Sequence, residues 1–233
     1  GVGPVDFDAK VRDMFTRIAE EWNCPLEVIN DGEVTALAGS MALRKKGESG
    51  NGVLGIAMGT SEGGGYVDMD GNITTWLSEL AFAPVDLHPE APADEWSGDL
   101  GVGAQYFSQQ AVARLLPASG IEYDASLSMP EQLKIVQKLM EEGDERALRI
   151  YDAIGIYLGY TLAHYAEFYE FEYVLLLGRV TTGPGGEHII ARSKEVMAAE
   201  FPELAARIKF HFPDETEKRH GQAIAAASLP KIG

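Results

Sequence analysis

A run of glycine closes one strand and opens the next in VLGIAMGTSEGGGYVDMDGNITTWLSELAFA, residues 53–83, and the rest of the chain has to be built around it. Val53 to Met58 reads as an apolar strand. It breaks at Gly59-Thr60-Ser61-Glu62-Gly63-Gly64-Gly65, and a second strand, Tyr66 to Met69, precedes an Asp70-Gly71-Asn72 turn into a third. A hairpin with a glycine-rich tip offers free backbone N–H groups to an anion, and Thr60 adds a hydroxyl donor at the mouth. A hairpin with a merely loose tip carries the same signature, so what stands on either side decides between the two.

The 233 residues suffice for one large domain or two small ones, and 45% hydrophobic with 24% charged residues is the profile of a globular chain with a sizeable core. A net charge of −17 argues against nucleic acid or an anionic membrane as partner, since both demand a basic surface. Cys24 is the only cysteine, which excludes an intrachain disulfide and a cysteine-rich metal site and fits a reducing, cytoplasmic setting. No apolar run reaches the roughly 18–20 residues that span a bilayer. The opening GVGPVDFD has neither the basic start nor the apolar core of a signal peptide, and the missing initiator Met suggests a processed or shortened product.

Residues 8–22 read as one amphipathic helix, with Val11, Phe15, Ile18 and Trp22 at three- and four-residue steps. Leu26 to Ile29 reads as a short buried strand ending at Asn30-Asp31-Gly32, and Glu33 to Lys46 as a second helix with cations at its C-terminal end. Asn30 and Asp31 therefore stand where a strand hands over to a helix, the place where ligands collect in open α/β sheets. Helix capping is the competing role for Asp31. A proline-bearing linker spans 84–94. Helices are expected from about Ala104 to Leu116, from Ser128 (a capping box with Glu131) to Glu142, and from Glu145 to Glu170, where Gly155 and Gly159 suggest close packing. Phe171 to Leu177 is the clearest buried strand. The glycine loop 178–186 leads from it into a helix at 187–201, again an anion-friendly geometry. A short helix at 203–207, a strand at 208–212 and a helix at 217–228 complete the chain.

Taken together, these motifs resemble the ROK family of repressors, uncharacterised reading frames and sugar kinases, within the actin/hexokinase-like superfamily. Ile29-Asn30-Asp31-Gly32-Glu33 resembles the family's ENDAN-type motif, and Gly59 to Gly65 its GTGIGGG phosphate hairpin. Ser78-Glu79-Leu80-Ala81-Phe82 is similar to its GEIGH segment, Gly221-Gln222-Ala223 to its C-terminal GAA helix, and Gly3-Pro4-Val5-Asp6 to a PGPVD turn. The resemblance covers nearly the whole chain.

It implies an α/β, actin-like (RNase H-like) two-lobe ATPase fold. The first lobe, about 1–50 with 217–233, is expected to be N-terminally truncated, because the family's Asp-Gly-Gly-Thr phosphate loop has no counterpart. The second lobe is expected over 51–216. By the same resemblance, Asp31 accepts a sugar hydroxyl proton and Asn30 with Glu79 bind sugar hydroxyls. Gly59 and Thr60 hold the phosphates of ATP, Gly178 lies on the adenosine side, and Mg²⁺ accompanies the nucleotide. The implied acceptor is a hexose or hexosamine and the implied assembly a homodimer. The alternative is a non-catalytic relative that binds sugar as a sensor or interaction module, and for Glu79 a merely satisfied polar residue at a strand end. Several positions depart from the family. The zinc motif CxCGxxGC is replaced by Glu95 to Val102 and the zinc-binding histidine by Phe82, so no structural zinc is expected. Glu62 would place a carboxylate toward polyphosphate unless it turns away, and Arg179 stands where the family has glycine.

Overall fold

The computed structural model describes residues 2–74, 76, 78–213 and 215–229, with the backbone alone at 215–219. Among them the helices are α1 (Pro4–Lys10), α2 (Met14–Trp22), α3 (Asp31–Lys45), α4 (Gln109–Ser119), α5 (Met129–Glu141), α6 (Glu145–Tyr165), α7 (Pro184–Glu200), α8 (Pro202–Ala205) and α9 (Glu215–Ala227). The strands β1 (Val53–Met58), β2 (Glu62–Val67), β3 (Tyr173–Leu177) and β4 (Lys209–His211) form one sheet in the order β2-β1-β3-β4. β2 runs antiparallel to β1, whereas β1, β3 and β4 are mutually parallel.

The two inner strands are apolar because both of their faces are covered. Leu54, Ile56, Met58, Val174 and Leu176 point into a large cluster with Ile154, Leu158, Leu162 and Ile189 of α6 and α7. On the opposite face Val53, Tyr173 and Leu175 meet Val34, Ala36 and Leu37 of α3 and Ala225 of α9. The result is a helix–sheet–helix sandwich. Each fully buried aliphatic side chain in it contributes about 1.5–3 kcal/mol relative to exposure.

The glycines of α6 are packing glycines. A Cβ at Gly155 would lie 2.8 Å from Arg192 Cβ, and one at Gly159 would lie 2.7 Å from Val196 Cβ and 3.0 Å from Ser193 O. Replacing Gly159 with alanine is therefore expected to push α6 off α7 and to cost about 1–3 kcal/mol, read from the urea midpoint. An unchanged midpoint would show that the two helices are not in contact there.

Four expectations need correction. After the Asp70-Gly71-Asn72 turn no third strand forms among the described residues, only a single antiparallel bridge between Ile73 and Val67. The single helix over 8–22 is two helices, α1 and α2, interrupted at 11–13, and neither contains a buried residue. Val11 and Trp22 therefore line no core in this chain, and helical periodicity alone could not reveal the break. Residues 26–29 form no strand, although Leu26 and Ile29 are half-buried. Last, Gly63 to Gly65 are not the tip of the hairpin but part of β2, which begins at Glu62. Their lack of side chains serves an approach from the side.

Candidate active site

Gly64 is the point at which the distant motifs meet. α3 arrives with its first turn against β2, so closely that a Cβ on Gly32 would lie 2.0 Å from Gly64 O and one on Gly65 2.0 Å from Gly32 O. From the other side Ser78 O and the Leu80 side chain press on Gly64, at 2.2 and 2.6 Å from the position of a Cβ. Asn30 and Asp31 precede Gly32, and Glu79 lies between Ser78 and Leu80. Backbone contact with one glycine thus brings all three residues to the same strand.

Asn30 caps α3, its Oδ1 accepting from the Gly32 amide at 2.8 Å, so the capping role belongs to Asn30. That leaves the Asp31 carboxylate exposed at the start of the helix. Glu79 is exposed as well, just ahead of the 3₁₀ turn Leu80–Phe82. Behind them Glu33, 3% exposed, accepts from the amide of Tyr66 at 3.0 Å, which satisfies a donor on the outer edge of β2 and clamps helix to strand. Burial raises the pKa of Glu33, against the pull of that amide.

The hairpin tip is Gly59-Thr60-Ser61, with Gly59 N donating to Ser61 O at 3.0 Å. Thr60 and Ser61 are exposed, and their amides have no acceptor among the described residues. Gly59 O accepts from Gln109 N at 2.9 Å, which fixes the tip against the N-terminus of α4. Gly178 has φ of 94°, and a Cβ there would lie 2.3 Å from Met58 O, so the loop after β3 lies directly against the base of the tip. Val180 N reinforces this with a 3.2 Å bond to Met58 O. Gly59, Thr60 and Gly178 are thereby neighbours. Gly64 lies three to four residues along β2 from the tip, about 10–13 Å at the usual strand rise.

Two concavities open on either side of α3. One, about 300 Å³, is lined by Gly39, the end of β3, Gly178, Arg179 and Thr181. The other, shallower and about 530 Å³, holds Asp31 beside Phe15, Leu26, Val28 and Val34. Gln222 of α9 lines both, and its side-chain amide donates to Thr35 Oγ1 between them.

Glu62 turns away from the tip. Only 4% exposed, it points inward beside Tyr165, and a Cβ on Gly103 would lie 2.0 Å from its Oε2. Burial pushes its pKa well up, and its carboxyl group does not face the mouth of the hairpin. In the stretch where a zinc knuckle would stand, the Asp94 carboxylate accepts from the amides of Ser97 and Trp96 at 2.8 and 3.1 Å, and the ring of Phe82 packs on Trp96 at 5.4 Å. The Ser97 amide above all holds Asp94 below its ordinary pKa. His188 contacts Asp152 at 3.2 Å between α6 and α7. Glu33 and Gln109 escaped the reading of the sequence, since neither spacing nor residue type distinguishes a buried clamp from a solvated polar residue.

No family model matches the chain. A glucokinase of Halalkalibacterium halodurans is 28% identical over 174 residues, 71% of this chain and 52% of that protein, so the chain spans about half the length of this curated relative. A ROK hexokinase from Thermus thermophilus superposes with a TM-score of 0.69 at 19% identity, over 93% of this chain and 68% of its own. For a ROK family glucokinase from Streptomyces griseus, in complex with glucose and AMPPNP, the TM-score is 0.66 at 18% identity, over 94% and 72%. A ROK family transcriptional regulator, a homologue of the E. coli MLC protein, gives 0.71 at 18% identity, over 93% and 55%. Described residues contain no helix long and apolar enough to cross a membrane. At these identities the likeness is one of fold: the chain shares the α/β fold of these solved ROK proteins.

Proposed function

We propose that the chain carries the acceptor and phosphate sites of an ATP-dependent sugar kinase. The supporting observation is the meeting at Gly64, which sets an exposed carboxylate, Asp31, on the strand whose far end is the hairpin tip with free amides. Phosphoryl transfer is largely positioning and charge stabilisation, and it needs these two elements. Asp31 takes the proton of a hexose or hexosamine hydroxyl as its oxygen bonds to the terminal phosphorus and the bond to the leaving ADP oxygen breaks. Asn30 and Glu79 hold sugar hydroxyls. Gly59 and Thr60 cradle the phosphates, and the cavity beside Gly178 takes the nucleoside end. The residues fit a nucleoside, since the cavity of about 300 Å³ is walled by Ala38, Gly39 and Leu175 to Leu177 with Thr35, Thr181 and Thr182 as polar partners. Mg²⁺, arriving with ATP, supplies neutralisation of phosphate charge. Among the described residues no three His, Cys, Asp or Glu gather as a metal cluster, and no protein ligand is assigned to it.

ADP release measured over a panel of hexoses and hexosamines tests this reading. Asp31→Asn is expected to lower turnover about 10²- to 10⁴-fold with sugar affinity changed little. A variant that turns over normally removes Asp31 from the role. Sugar binding without ADP release would favour a sensor instead, a reading supported by the transcriptional regulator among the structural neighbours.

A further inference from the structure

Arg179 lines the cavity beside Gly178, and among the described side chains there it alone carries a charge. The chain has 36 acidic residues against 19 basic ones, so a carboxylate partner is rarely far from an arginine. Other arginines are engaged: Arg12 with Asp8, Arg44 with Asn51, Arg146 with Asp144, and Arg192 with Asp152 and Glu195. The guanidinium of Arg179 has no hydrogen bond or ion pair with any described residue. Its backbone, by contrast, is held. Arg179 O accepts from Gln137 Nε2 at 2.8 Å and from Thr182 N at 3.3 Å, while Thr181 Oγ1 bonds Gly178 O at 3.0 Å. An anchored main chain therefore presents a cation that has no partner among the described residues.

Its position gives that cation a use. On one side lies the cavity, walled by Ala38, Gly39 and Leu175 to Leu177, apolar enough for a flat ring. On the other, through Gly178 against Met58, lies the tip with its free amides. A nucleoside polyphosphate spanning the two would carry its phosphate chain past residue 179. In a protein of net charge −17 such a polyanion is repelled at long range, and a local cation is what offsets this.

We infer that Arg179 binds the phosphate chain of the nucleotide and makes the cavity select charged nucleotides over nucleosides. The inference rests on the kinase reading for the identity of the ligand, but it is tested by binding rather than turnover. Calorimetric titration of the intact chain with ATP and with adenosine, at low and raised salt, would compare Arg179→Gln and Arg179→Lys with the unaltered protein. Gln is expected to weaken ATP roughly five- to tenfold, to leave adenosine unchanged and to flatten the salt dependence of ATP binding. Lys is expected to keep most of the affinity. Unchanged ATP affinity in the Gln variant overturns the inference, and so does an equal loss for adenosine or an unaltered salt slope, which would mean the side chain packs on the base. If the unaltered chain binds no nucleotide, both readings fall. ATP binding that responds as expected, with no ADP release on any sugar, overturns the kinase reading and supports the assignment of Arg179.

Discussion

Gly65→Ala is expected to cost about 3 kcal/mol of stability and to abolish sugar-dependent ADP release, whereas Gly63→Ala, two residues away, should cost less than about 1 kcal/mol. The two glycines sit in one strand and look alike in sequence. At Gly65 a methyl group would meet Gly32 O at 2.0 Å, Gly32 C at 2.4 Å and Glu33 N at 2.9 Å. These are backbone atoms of the first turn of α3 and have no rotamer by which to yield. The helix would have to lift off β2, breaking the bond from Tyr66 N to Glu33 and carrying Asp31 away from the strand that ends at the tip. At Gly63 the nearest atom would be Ala57 Cβ at 3.5 Å, an ordinary contact. Urea denaturation of both variants beside an ADP-release assay reads the difference. Equal midpoints for the two would refute the close approach on which the candidate site is built.

The second large effect concerns pH. Glu62 is buried beside Tyr165, and burial holds its pKa well above 4.5. Its folded-state pKa being raised, the stability it allows is fully present below the unfolded value and is lost as pH rises through the folded one. Above 4.5 the unfolded carboxyl ionises while burial favours the protonated form in the folded state, so folding takes up a proton at the expense of stability. Glu62→Gln keeps the size and removes that proton uptake. The variant is expected to gain stability relative to the unaltered chain as pH rises above 4.5, with the gap closing as pH falls back toward it. Glu33, also raised by burial, remains in both proteins and cancels in the comparison. Denaturation curves that stay parallel at every pH would mean that Glu62 is solvated.

These two residues show how far the sequence could be read. Glycine, glutamate and aspartate were visible as a motif, but the motif does not say which glycine is a tip and which is a contact. β1 and β3 were legible because a strand covered on both faces must be apolar throughout, and VLGIAM and YVLLL are. Gly155 and Gly159 were legible because small residues four apart on a long helix leave one stripe for a neighbour. α1 and α2 misled. Their apolar residues have helical spacing, yet none of them is fully buried, and periodicity records what a face could pack against rather than whether it does.

Local rules sufficed wherever the cause was local: the unbroken apolar run of β1 and the capping of α5 by Ser128 and Glu131. Tertiary structure alone decided that Glu62 faces the core, that Gln109 holds the tip, and that residues 31 and 79 converge on Gly64. Such contacts depend on the register between segments far apart in the chain. Register follows from the summed packing of both sheet faces, which no window of sequence contains.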